Sequence, residues 1–379
     1  MPGGAGCVKL DIKTQTRHNP RVTNESPASP SPLRQKLALL VPALGFFALM
    51  GLGALIPALA GILNLALPFF GLIGLGYFCG KLLRFPEAGL QWMNFFIVYV
   101  ALPGLFFNLI SVTPIAELAN WPFVAATSAA TYAVYALSFT VGIAATRGNI
   151  KEAAIQGVAG AYSNIGYMGP GLTLAALGPK SAVPTALIFV FDNAILFAVV
   201  PFLMAIGGSD KMKVRETVWY VVKRIVTHPF NIATAAGVLA AALQVTPPVA
   251  VGKMLAFMQN AAAPCALFVM GVTVALRPVK RVSPEMPVLL LIKLVLHPLL
   301  VWTLLSAIGD FGREWTFTAV LMAALPPALN VFVMASQYQT YVERASSLIL
   351  LGTMASVVSV TALLYVIAND VVPYRLFGG

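Results

Sequence analysis

The chain has 379 residues, of which 59% are hydrophobic and only 10% charged, with a formal net charge of +11 and a mean hydropathy of +0.86. That balance excludes a water-soluble fold of this length. It also excludes a nucleic-acid-binding surface, because the cations are scattered through short gaps between apolar stretches and are not clustered with stacking aromatics.

Along the chain, residues 1–35 form a polar, basic tail in which Pro27, Pro30 and Pro32 alternate with serines, a composition that cannot bury enough apolar surface to fold. Residues 36–60 are predicted as an extra N-terminal hydrophobic helix. Ala58-Leu59-Ala60 also resembles a signal-peptidase site, but the basic tail favours retaining the helix. Ten further apolar stretches are long enough to cross about 30 Å of hydrocarbon. They run 62–80, 90–111, 121–145, 153–177 and 182–206, then 225–243, 249–276, 287–308, 316–336 and 345–368. The predicted architecture is therefore all-α and polytopic, with one five-helix set in residues 61–208, a cation-rich linker at 209–224 and a second set in 225–379.

Cations fall in alternate connections, with Lys81 and Arg84, Arg147 and Lys151, Lys211 to Arg224, Arg277 to Arg281, and Arg344 on one side. The excess of positive charge in short loops marks that side as cytoplasmic, so the core begins and ends outside. Three cysteines, Cys7, Cys79 and Cys265, lack metal-ligand spacing. Hydrolase, nucleotide-cradling and metalloprotease motifs are missing, so no enzyme activity, metal or cofactor is expected.

The two sets carry matching features. Pro103 and Pro264 sit in the second helix of each set, 161 positions apart (264 − 103). The fourth helices are interrupted by Ser163-Asn164-Ile165-Gly166-Tyr167-Met168-Gly169-Pro170-Gly171 and by Leu325-Pro326-Pro327-Ala328-Leu329-Asn330, with Pro170 and Pro327 spaced by 157 (327 − 170). An odd number of spans per set reverses the second copy across the membrane, which is an inverted repeat. Proline removes a donor and blocks helical continuity, leaving backbone groups that need water, a cavity or a ligand at membrane depth. Half-helix N-termini carry partial positive charge and suit a carboxylate, and Asn164 and Asn330 add an amide at each break.

These segments, with Leu72-Ile73-Gly74-Leu75-Gly76-Tyr77, Val100-Ala101-Leu102-Pro103, Ala263 to Phe268 and Lys293-Leu294-Val295-Leu296-His297-Pro298, resemble the auxin efflux carrier family over residues 62–368. Its bacterial members are commonly described as malate, malonate or related organic-anion permeases. The resemblance implies a ten-helix core of two inverted repeats whose fourth and ninth helices cross at their breaks, with Asn164 and Asn330 against the substrate carboxylate. Ser163, Gly166, Pro170, Pro326 and Pro327 complete that predicted site.

Asp192, Lys293 and His297 are ionisable residues inside apolar spans, where charge is expensive unless paired or wet. Asp192 is a candidate proton carrier, the alternative being a permanently protonated or ion-paired structural residue. Lys293 and His297 share a helix face and are candidates for attracting the anion or exchanging a proton. The alternatives are a snorkelling lysine and a histidine that bonds a carbonyl freed by Pro298. The expected function is secondary active transport of small organic anions, mono- or dicarboxylates, in a cell membrane, the bacterial inner membrane by the family resemblance. Protons are the expected coupling ion, with sodium or a simple gradient as alternatives, lipid is the surrounding partner, and a homodimer is left open. A sodium-coupled carrier of bile-acid-like solutes and a non-transporting receptor are the competing functions.

Overall fold

The computed structural model describes residues 67–83, 87–194, 198–208, 226–245, 247–276 and 282–377, with 219, 222 and 223. The predicted tail (1–35) and extra helix (36–60) lie outside the described residues, as does nearly all of the linker (209–224). Everything regular among the described residues is helical. Five helices are continuous, apolar and long enough to cross a membrane. They are α2 (Ala88–Ile110), α3 (Trp121–Ala145), α9 (Val249–Leu276), α10 (Met286–Ile308) and α13 (Val342–Ala368). The protein is thus a polytopic α-helical membrane protein.

Between these run shorter pieces: α1 (Leu67–Leu83), α4 (Ile150–Ala161), α5 (Gly169–Leu177), α6 (Ala182–Ala194), α7 (Val200–Ile206), α8 (Pro229–Ala242), α11 (Arg313–Ala324) and α12 (Asn330–Gln337). Helix starts follow local chemistry. Asn120 and Asn149 accept from the amides of Phe123 and Glu152 at 3.3 and 3.2 Å, satisfying orphan donors at the heads of α3 and α4.

Two bodies emerge from the packing. Helices α1, α2, α8 and α9 pack together as a scaffold, whereas α3, α4, α6, α10, α11 and α13 form a second body around the interrupted helices. In the scaffold, α1 and α9 approach backbone to backbone. A Cβ on Gly76 would lie 2.1 Å from the Phe268 carbonyl oxygen, and one on Gly271 would lie 2.0 Å from that of Ile73. Small residues permit such contact where lipid offers no hydrophobic drive between helices.

Prolines do not act alike. The helices carrying Pro103 and Pro264 are continuous, unlike the fourth-helix pair. A wide π-turn at Phe96–Ala101 precedes Pro103, and another at Ile292–Leu296 precedes Pro298. An i→i+5 turn absorbs a missing donor without ending the helix.

Candidate functional site

At both predicted interruptions the chain unwinds. Helix α4 stops at Ala161, with Tyr162 in extended backbone, and α5 begins at Gly169. Helix α11 stops at Ala324, with Leu325 extended (φ −62°, ψ 151°), and α12 begins at Asn330. The two breaks meet. Ser163 and Pro327 pair antiparallel, the Asn164 amide donates to the Pro326 carbonyl at 2.8 Å, and the Ala328 amide donates to the Tyr162 carbonyl at 3.2 Å. Backbone groups freed by unwinding one helix are thereby satisfied by the other, as buried polar groups in hydrocarbon require.

Beside this crossing lies a cavity of about 110 Å³. It is larger than the ~10–15 Å³ that holds one water and smaller than the ~300 Å³ of a drug-sized pocket. Asn164, Gly166 and Tyr167 of the first break and Ala328, Leu329 and Asn330 of the second form one wall. Val98 and Leu102 of α2, with His228 and Phe230 at the head of α8, form the scaffold wall. The cavity thus lies between the two bodies.

Of the sequence-predicted residues, Asn164, Gly166 and Asn330 face this cavity. Ser163, Pro326 and Pro327 build the pairing behind it, and Pro170 sits in the first turn of α5, so these four shape the site without lining it. The Asn164 side chain is 1% exposed, and its Nδ2 donates at 2.9 Å to the Met270 thioether, a weak acceptor. A carboxylate oxygen would be a far better partner for that amide.

Sequence reasoning missed Tyr162, Asn193 and His228. The Tyr162 hydroxyl donates to Asn193 Oδ1 at 2.6 Å and also bonds the Asn330 side chain. Asn193 Nδ2 in turn donates to the Phe189 carbonyl at 2.8 Å, so Asn193 is committed within its own wall. The only hint of these residues in the sequence was a polar group within an apolar run, which is too common to single them out.

Asp192, Lys293 and His297 lie outside the cavity wall and are 3%, 0% and 1% exposed. The lysine does not snorkel. Its ammonium donates to the Ala323 carbonyl, in the last turn of α11, where the helix dipole is negative. It also lies 3.3 Å from His297 Nδ1. His297 Nε2 lies 3.3 Å from the Thr131 hydroxyl, not against a carbonyl freed by Pro298, and Thr131 also bonds Asp192, whose carboxylate is within electrostatic reach of Lys293. A buried polar chain thus runs from α6 through α3 and α10 to the end of α11. At its α6 end, Asp192 is the sequence neighbour of Asn193, which lines the cavity.

Residues 61–364 match a family model described as membrane transport protein. A protein of Rhizobium meliloti (strain 1021), named "Putative malonate transporter", is 49% identical over 319 residues, covering 84% of this chain and all of that protein. An "Uncharacterized transporter" of Methanothermobacter thermautotrophicus (strain Delta H) is 24% identical over 291 residues, covering 75% of this chain and 91% of that one. By the extent of the model match and the identity to the first of these relatives, the chain belongs to the membrane transport protein family.

Proposed function

We propose that the protein is a secondary active transporter of small organic anions, with malonate-like carboxylates as cargo, working by alternating access. The anion docks where the two breaks cross, and the body holding the crossing rocks against the scaffold. The observation that carries this reading is that Asn164 and Asn330, 166 positions apart (330 − 164), face one small cavity at two paired helix interruptions. Their side-chain amides are donors for a carboxylate.

Support for malonate comes from the size of the cavity and from the name of the 49% identical relative. The two five-helix sets are read as inverted repeats, with cation-rich loops inside a cell membrane and the core termini outside. In this scheme Asp192, Lys293 and His297 carry the coupling charge. Their chain joins the end of α11 to the cavity wall, so a change of protonation there alters the break that holds substrate.

Uptake of radiolabelled malonate into proteoliposomes tests the site. Losing a hydrogen bond to a charged group costs on the order of 1.5–3 kcal/mol, so Asn164→Ala and Asn330→Ala should each lower uptake at sub-saturating substrate roughly 10-fold to 100-fold. Wild-type uptake by both variants would remove the assignment.

A further inference from the structure

The cavity is asymmetric in chemistry. Its crossing wall offers neutral amides, while the scaffold wall is apolar through Val98, Leu102 and Phe230 except at one place, His228, the residue that precedes α8. Between the two polar ends, Phe189 and Phe230 pack with tilted rings whose centroids are 3.8 Å apart, and the His228 ring lies 6.3 Å from that of Phe189.

Among the described residues that line the cavity, His228 alone can carry positive charge, since every other one is aliphatic, aromatic or an amide. Lys293 is buried elsewhere, against Ala323. Asn193, the remaining polar group on the middle wall, already bonds Tyr162 and Phe189. Neutral amides can hold one carboxylate, but removing a second negative charge from water into a site at membrane depth is costly without a cation or a charge-assisted donor.

We propose that His228 is the specificity-determining residue for the second carboxylate. The crossing amides take one end of a short dicarboxylate, the aromatic pair covers its methylene carbon, and the imidazole N–H meets the other end. The site therefore selects a dianion over a monoanion of the same skeleton. Because the amides and His228 belong to different bodies, a bound dicarboxylate also bridges them. This inference rests on the anion site proposed above and adds its substrate class.

The test is calorimetric titration of the full-length, detergent-purified protein with malonate and with monomethyl malonate, which keeps the skeleton and loses one charge. The wild type should prefer malonate at least about 10-fold. His228→Gln should erase that preference by weakening malonate far more than the monoester, and the retained monoester binding serves as the control for folding. Equal losses for both ligands would make His228 structural and overturn the inference, as would no loss for either. Asn164→Ala separates the two levels, since it should weaken both ligands. If it weakens both and His228→Gln alters neither, only the dicarboxylate inference falls. If Asn164→Ala alters neither, or the wild type binds neither acid, the anion site falls with it.

Discussion

The two interruptions occupy matching positions in the sequence but are held open by different chemistry. The first is loose and glycine-bearing. The Asn164 carbonyl gathers the amides of Met168 and Gly169 at 3.1 and 3.3 Å into a turn, and the carbonyl of Tyr162, just past the end of α4, is satisfied by the neutral Ala328 amide. The second is stiffened by Pro326 and Pro327, which have no amides to orphan. Its preceding helix, α11, ends on a charge, because the Ala323 carbonyl receives the Lys293 ammonium together with the Ser163 hydroxyl at 3.4 Å. The same topological task, ending a helix inside a membrane, is solved once with neutral backbone and once with a buried cation. Only the second solution places an ionisable group on the break.

The largest way to break this comparison is to remove the cation. Lys293→Met strips the Ala323 carbonyl of its charged donor and leaves Asp192 buried without a counter-charge. Deleting one member of such an arrangement costs about 3–5 kcal/mol, seen as a large drop in the thermal unfolding midpoint in detergent, with uptake abolished. Asp192→Asn combined with Lys293→Met should recover much of the midpoint, since no lone charge remains, but not the uptake. A single variant with wild-type stability would mean that the two breaks are equivalent after all.

Much of this arrangement is legible in the sequence, and the part that is not has a definite cause. Apolar runs fix the spans, because a helix in lipid must be apolar for about 20 residues. Proline with glycine or a second proline near mid-span marks the breaks, since those residues withdraw donors that lipid cannot replace. Pro264, with the same chemistry, leaves α9 unbroken. His228 and Tyr162 are invisible as site residues for a different reason, because their neighbours are set by how the bodies pack. Lys293 shows the same limit: its distance from the helix end suggested snorkelling, but only the rotation of α10 decides that it faces Ala323.

A middle-sized effect should separate the breaks by sterics. The loose first break feeds α5, which passes close to α9 of the scaffold, and a Cβ on Gly171 would meet the Ala263 Cβ at 2.3 Å. Neither atom is the end of a flexible chain, so the backbones must part. Gly171→Ala should cost about 1–3 kcal/mol, as overpacking does, and should slow uptake if the proposed rocking takes place at this contact. The comparison substitution is Gly169→Ala, whose Cβ would lie 2.7 Å from the Met322 sulfur. Methionine adapts by rotation, so that variant should unfold nearer the wild-type midpoint. The reverse order would show that the first break is the rigid one.

The smallest effect lies at the far end of α4, away from either break. Arg344 bonds Glu152 at 3.0 Å and Glu285 at 3.6 Å, while Ser283 and Tyr341 donate to the same Glu285 oxygen at 2.6 and 2.9 Å. This joins the start of α4 to the heads of α10 and α13 within one body. Burial pushes the Glu285 carboxyl up, but the Ser283, backbone and Tyr341 hydrogen bonds and the Arg344 guanidinium outweigh it and hold the group below its ordinary value. A depressed carboxyl contributes stability that is complete above its unfolded value, about 4.3, and is lost as pH falls through the lower folded value. Glu285→Gln should therefore lower the thermal midpoint slightly at neutral pH, by the equivalent of about 1 kcal/mol or less, and the gap to wild type should close on acidification below about pH 4. The deficit left in the Asp192→Asn, Lys293→Met double variant should not close over that range, because it originates at a carbonyl inside the membrane. A common pH dependence for both would tie the surface cluster to the buried chain and dissolve the distinction between the neutral break and the charged one.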